Sequence, residues 1–258
     1  MKPARGILKG TVTERVTHHR LAPRAELAFA VEHFWHVAWT LEGTPPVRAQ
    51  TLPHPSVHVT VEARRAEVGG VFTSRFVRTL RGNGQVFGLK FRPGMFQQVL
   101  GAPLSTLRNR VVALRRVFAE AAALARHTRE RPFEASVAAW EQVLLTRLRD
   151  DDPVARATRD LVELAAVDRT LLQVEQLVER AGVTKRTLQR RFDRYVGVSP
   201  KWVLQRYRLH EANERLLADG ALDLAGLALE LGYADQSHFV RDFKAMVGVT
   251  PGSYALRR

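Results

Sequence analysis

Near its C-terminal end the chain repeats itself. Arg190-Arg191-Phe192-Asp193-Arg194-Tyr195-Val196-Gly197-Val198-Ser199-Pro200 returns as Arg241-Asp242-Phe243-Lys244-Ala245-Met246-Val247-Gly248-Val249-Thr250-Pro251, at an offset of 51 residues. Arg190, Phe192, Gly197, Val198 and Pro200 each meet an identical residue. Upstream, Gly182 pairs with Gly232 at an offset of 50, so the second copy carries one extra residue just after that glycine. Two copies of one supersecondary unit must present a similar shape twice, which suits a target with a repeat of its own. Double-stranded DNA is the first candidate.

The apolar spacing within each copy is helical. Val174, Leu177, Val178 and Ala181 fall at i, i+3, i+4 and i+7, and Leu224, Leu227, Ala228 and Leu231 repeat the pattern. Each set ends at a glycine, Gly182 or Gly232, which can take the left-handed conformation of a sharp turn. A second helix is predicted to begin at Thr184 or Asp235, both good N-caps, with Leu188, Phe192, Tyr195 and Phe239, Phe243, Met246 on the buried faces. Helix, glycine turn, helix is a helix-turn-helix, here twice. Between the units Ser199-Pro200 opens a helix predicted to continue to about Ala218, a rod of roughly 27 Å at 1.5 Å per residue. Successive major-groove faces lie about 34 Å apart, a difference that side-chain reach covers.

The outward face of each second helix carries side chains that would read nucleic acid. The first offers Lys185, Arg186, Gln189, Arg190 and Arg194, with Thr184 at its start; the second offers Gln236, Ser237, His238, Arg241 and Lys244. Arginine pairs bidentately with guanine and glutamine with adenine, while lysines and helix N-termini suit phosphates. A solvated charged face is the plainer explanation for any one of these helices. Duplication of the geometry argues against it.

Residues from about 156 to 258 resemble the DNA-binding domain of the AraC/XylS family of bacterial transcription regulators. The resemblance rests on Ala181-Gly182-Val183-Thr184-Lys185-Arg186-Thr187-Leu188-Gln189-Arg190-Arg191-Phe192, on Arg206-Tyr207-Arg208-Leu209, and on Leu231-Gly232-Tyr233-Ala234-Asp235-Gln236-Ser237-His238-Phe239-Val240-Arg241-Asp242-Phe243. The closing Gly248-Val249-Thr250-Pro251-Gly252-Ser253-Tyr254 also fits. The resemblance implies consecutive major grooves as the target, with base contacts from Arg186, Gln189 and Arg190, then from Gln236, Ser237, His238 and Arg241. Asp242 stands where the first copy has Arg191, which weakens phosphate attraction at the second unit.

The first hundred residues read as strands. Trp35, Val37, Trp39 and Leu41 alternate with His36, Ala38 and Thr40; Val57, Val59 and Val61 alternate with His58, Thr60 and Glu62. Gly82-Asn83-Gly84 reads as a hairpin turn joining Phe72–Leu80 to Val86–Phe91, and the whole as a small antiparallel barrel or sandwich. From about Val111 the spacing becomes helical, with Phe133, Val137, Trp140, Leu144 and Leu148 on one face. Asp150-Asp151-Asp152-Pro153 marks the boundary between a domain of residues 1–150 (β-rich 1–95, helical 111–150) and one of 154–258. The resemblance adds that many such regulators pair the DNA-binding domain with a cupin-like barrel for a small effector and with helices that dimerise. The expected fold class is thus α+β: an N-terminal cupin-like antiparallel β-barrel with a helical tail, then an all-α domain of two helix-turn-helix units joined by a long helix.

Trp35, Trp39, His54, His58 and Arg75 are the candidate effector-binding residues, although the aromatic ones equally suit a plain core. His54, His58 and Glu62 would share a face on an unbroken strand, but four residues of strand span about 13 Å, too far for neighbours to ligate one ion unaided. Metal binding, pocket lining and a plain polar strand face all stay open for them; no cofactor is expected.

The formal charge of +14 is informative only in its placement: residues 1–153 carry 23 Lys+Arg against 13 Asp+Glu, and residues 154–258 carry 17 against 13. The repeat region is not the more basic part. Without cysteine there is no disulfide, thiol nucleophile or Cys-ligated zinc, and a repair protein using a cysteine alkyl acceptor is excluded. No P-loop, GxGxxG or Ser/His/Asp arrangement points to an enzyme. The N-terminal Met1-Lys2-Pro3-Ala4-Arg5 lacks the apolar stretch of a signal peptide, and no run is long enough to span a membrane, so a cytoplasmic location is expected. The expectation is a sequence-specific DNA-binding regulator controlled by a small-molecule effector. Its expected partners are double-stranded DNA and a second copy of the chain, with RNA polymerase a further candidate. A cupin-type metalloenzyme with an accessory DNA-binding domain is the alternative.

Overall fold

A computed structural model describes residues 14–218 and 223–256. Met1–Arg5, on which the signal-peptide argument turns, lies outside them. The N-terminal part holds eight strands: β1 (Val16–Leu21), β2 (Val31–Leu41), β3 (Val47–Thr51), β4 (His58–Val61), β5 (Ala66–Gly69), β6 (Phe76–Leu80), β7 (Gly82–Phe91) and β8 (Val111–Ala113). They form a six-stranded sheet in the order β1-β2-β7-β4-β5-β8 and a two-stranded sheet of β3 and β6, with antiparallel pairing throughout.

The period-two alternation in β2 sorts its side chains onto two faces. Trp35, Val37, Trp39 and Leu41 cluster with Leu80, Val86, Val47 and Ala49 beneath the small sheet. Phe34, Val59, Phe87, Leu89 and Phe91 pack the other face against helices. Those helices are α2 (Ala121–Glu130) and α3 (Phe133–Arg147), which follow the short α1 (Gln97–Leu100). Trp140 of α3 is fully buried, stacked on Phe87 at 6.2 Å and edge-on to Phe118, with its indole N–H donated to Thr128 at 3.1 Å. The apolar face of α3 is therefore consumed inside this domain rather than left for a partner.

Three local expectations are corrected. The run before Gly82 is not the hairpin partner of the run after it: β6 pairs with β3, while β7 pairs with β2 and β4. The chain crosses between sheets at Arg81, whose carbonyl accepts the Trp39 indole N–H at 3.2 Å. Val111–Ala113 is a strand on β5, not helix, as its two β-branched valines favour. His54, His58 and Glu62 do not share an unbroken strand, since only His58–Val61 is extended and paired.

The remainder is helical: α4 (Pro153–Val167), α5 (Val174–Ala181), α6 (Lys185–Arg191), α7 (Pro200–Ala218), α8 (Leu224–Glu230), α9 (Gln236–Val247) and α10 (Pro251–Ala255). Asp152 caps α4 by accepting from the Val154 and Ala155 amides, both at 2.9 Å, so the acidic run at the expected boundary starts a helix. Each helix-turn-helix has its own core, and the N-terminal half enters both. Val71 packs with Leu188, Phe192 and Leu204, and Leu52 packs with Leu209, Phe239 and Phe243. In the opposite direction Tyr195 joins the sheet-domain core and donates its hydroxyl to Asp152 at 3.0 Å.

Candidate nucleic-acid interface

In the first unit α5 ends at Gly182 with φ +60°, and α6 starts after Thr184, whose hydroxyl accepts the Thr187 amide at 3.2 Å. Leu188 and Phe192 are fully buried and hold the helix down. The opposite face presents Lys185, Arg186, Gln189, Arg190 and Arg194, all exposed, beside exposed Thr184. Lys185 is held by Glu175 at 2.7 Å, and that hydrogen bond keeps the Glu175 carboxyl below its ordinary range. The Arg194 guanidinium lies 5.7 Å over the Tyr195 ring, where a single π turn (Phe192–Val196) ends the helix. Arg186, Gln189 and Arg190 form no ion pair or side-chain hydrogen bond with any described residue, so their donors are available to a partner.

The second unit repeats the arrangement. Asp235 caps α9 by accepting the His238 amide at 2.7 Å, and Phe239 and Phe243 are fully buried. Gln236, Ser237, His238, Arg241 and Lys244 are all exposed. His238 leans on Tyr233, ring to ring at 5.4 Å, and sits 3.5 Å from the Asp242 carboxylate. Asp242 also accepts a hydrogen bond from Gln205 of α7, so this carboxylate is turned toward the linking helix. It subtracts less from the outward potential than its place in the repeat implies.

The family described as "Helix-turn-helix domain" matches residues 177–257, and one described as "Domain of unknown function (DUF6597)" matches residues 19–113. A putative AraC-like transcription regulator of Streptomyces antibioticus is 37% identical over 81 residues, 31% of this chain and 26% of that protein. An uncharacterized HTH-type transcriptional regulator of Haemophilus influenzae is 30% identical over 114 residues, 44% of this chain and 37% of the relative. A solved probable AraC family transcriptional regulator from Rhodopseudomonas palustris is 30% identical, over 39% of this chain and 95% of that one, with a TM-score of 0.36. Residues 177–257 therefore carry a helix-turn-helix domain of the AraC type. The chain spans well under half the length of the two curated relatives, and the match lies in the helix-turn-helix half.

The five candidate effector residues do not meet at one point. Trp35 and Trp39 lie flat over Gly88 and Gly84, their cross-strand partners on β7. His58, on β4, stands edge-on to Trp35 with ring centres 6.4 Å apart; burial, then Lys90 and His33, push its pKa down to about 3. His54 instead meets His210 of α7 at 5.1 Å. Arg75 donates to the Val247 carbonyl at 2.9 Å and to Gln50 at 3.2 Å, at the end of α9. Glu62 is held bidentately by Arg78 at 2.5 and 2.8 Å. His54, His58 and Glu62 thus have separate partners.

Two groups of residues escape sequence reasoning. Arg108 donates to the Gly197 carbonyl at 2.6 Å, joined by Ser105, whose hydroxyl donates to Asp193 at 2.9 Å. Arg206, His210 and Asn213 lie buried along α7. The first group links positions nearly ninety residues apart, which no local pattern reveals. The second has a weak signal: 206, 210 and 213 fall at i, i+4 and i+7, so a polar stripe is legible on that helix.

Proposed function

We propose that the chain is a sequence-specific DNA-binding transcription regulator that lays α6 and α9 in successive major grooves. The observation that carries this is the pairing of two like-built helices, each capped at its start and anchored by buried Leu188 and Phe192 or Phe239 and Phe243. Each turns outward a set of side chains suited to base edges and phosphates. The 19-residue α7 between them is about 28 Å long, close to the groove repeat.

The N-terminal domain serves as the sensor in this reading. An effector bound there biases how the two helix-turn-helix units are presented, because Leu52 and Val71 belong to their cores. Two copies acting together as a dimer, and action in the cytoplasm, complete the reading. No described helix is long and apolar enough to cross a membrane. Anisotropy titrations on a selected duplex, with and without a panel of small metabolites, test it. A change in DNA affinity with one metabolite is expected; DNA binding that no metabolite alters removes the sensing half and leaves the DNA-binding half standing.

A further inference from the structure

Two segments of the β-domain lie against the helix-turn-helix units. The first, residues 70–75, joins β5 to β6 and touches both. Its Val71 is buried with Leu188 and Phe192 of the first unit, and its Arg75 donates to the Val247 carbonyl of the second at 2.9 Å. Four residues of chain reach at most about 14 Å, so this loop sits at the seam between the units. The second segment, residues 104–110, precedes β8 and holds the first unit. Arg108 donates to the Gly197 carbonyl at 2.6 Å and the Ser105 hydroxyl to Asp193 at 2.9 Å.

The two segments are laced to each other through Asn109. Its main-chain amide donates to the Val71 carbonyl at 2.9 Å, and its Oδ1 accepts from the Thr73 amide at 2.8 Å and the Thr73 hydroxyl at 3.1 Å. Its φ of +56° is a left-handed conformation that asparagine adopts more readily than most side-chain-bearing residues. The Gly70 amide adds a bond to the Arg110 carbonyl at 3.0 Å, and Gln50 of β3 orients Arg75 by accepting from it at 3.2 Å. Both units are seated closely on this bracket. A Cβ at Gly197 would lie 2.9 Å from the Leu104 carbonyl oxygen, and one at Gly248 would lie 1.8 Å from the Arg75 guanidinium. These two glycines occupy equivalent places in the repeat.

A helix such as α7 sets how far apart two units stand, but contacts away from the helix must set their rotation about it. The bracket supplies such contacts and leaves the reading faces open, since Arg186, Gln189 and Arg190, then Gln236, Ser237, His238 and Arg241, are exposed. We propose that the bracket of residues 70–75 and 104–110 fixes the placement of α9 relative to α6. Arg75, Arg108 and Asn109 are then positioning residues that set the spacing between the two DNA blocks the chain accepts. The inference rests on the DNA-binding reading above. Each base pair added between the blocks moves the second by about 3.4 Å and turns it by roughly 35°, so a fixed pair of helices matches one length.

The test uses the full chain, the Arg75→Ala/Arg108→Ala double variant and Asn109→Gly. The last keeps the left-handed turn, removes the lacing side chain and changes no charge. Because the chain has no cysteine, Gln189→Cys with Ser237→Cys takes one spin label on each recognition helix. Dipolar distances measured without DNA should show one narrow population in the wild-type background and a broadened one in both variants. Anisotropy titrations then use the duplex selected by the wild type, with its central segment lengthened or shortened by one or two base pairs. To fit an off-length duplex the wild type must open a grip that the variants lack, so their preference for the best length should flatten by about three- to tenfold per grip. Unchanged label distances overturn the inference. Equal weakening at every length overturns it too, marking the arginines as phosphate contacts, as does tighter binding at every length, marking a grip that holds the helices off DNA. A length preference that the variants keep overturns the inference alone, whereas a wild type that selects no two-block duplex removes the DNA-binding reading and the inference with it.

Discussion

Arg108 of the N-terminal half donates from Nε to the Gly197 carbonyl at 2.6 Å, closing the turn that ends the first recognition helix. Arg75 does the same to Val247 at 2.9 Å, in the turn that ends the second. Gly197 and Gly248 are equivalent in the repeat, so the N-terminal half grips both units at the same turn. Helix C-terminal carbonyls carry partial negative charge, which explains why arginine occurs at both places. Replacing Arg75 and Arg108 by alanine together should cost about 1 kcal/mol for each lost hydrogen bond. It should also speed amide exchange over residues 192–198 and 243–249. Unchanged exchange at both turns would show that the arginines do not restrain the units.

The two readers should respond differently to two kinds of substitution. Arg190→Ala and Arg241→Ala each remove a candidate base contact and should cost about 1–3 kcal/mol on a specific duplex. Lys244→Ala should weaken all sequences alike and lower the salt slope by about one. Anisotropy titrations on specific and scrambled duplexes across a salt series separate the two behaviours.

The β-domain depends on one close approach. A Cβ at Gly88 would sit 1.9 Å from the Trp35 indole, so Gly88→Ala must displace that ring. Overpacking of this kind costs about 1–3 kcal/mol. Urea unfolding of the full chain should show it as a lower midpoint, and an unchanged midpoint would mean that the sheet readily gives.

Acid should weaken the protein in a defined window. His58 and His33 have their pKa values pushed down by burial to about 3 and about 4, from 6.5. Well above pH 6.5 both are neutral whether folded or unfolded, and their contribution is complete. As pH falls below 6.5 the unfolded chain binds protons that the folded chain refuses, so stability drops toward pH 4 and then 3. The slope per histidine is at most about 1.4 kcal/mol per pH unit. Denaturant midpoints measured from pH 7.5 to 4 should decline in the wild type, and less steeply in His58→Phe.

The helical half was largely readable because its signals are local. Thr184, Asp235 and Ser199 act as the caps their positions imply, and Leu188, Phe192, Phe239 and Phe243 are buried at the spacing that announced them. The β-half was readable in kind but not in pairing. Gly82-Asn83-Gly84 has the composition of a hairpin turn, yet the chain there passes between two sheets, and which strand a run pairs with is decided by tertiary packing. Arg75 shows the limit most clearly. Sequence alone makes it a candidate effector contact, and its guanidinium meets a carbonyl 172 residues away.

Selection of random duplex DNA on the purified full chain, followed by sequencing of the retained pool, tests the central claim most directly. Two recognition helices of like build but unlike outward residues predict two short blocks about one helical turn apart and different in sequence. Weakening of one block by Arg190→Ala and of the other by Arg241→Ala is expected. A pool with one block, two identical blocks or no enrichment would contradict the account.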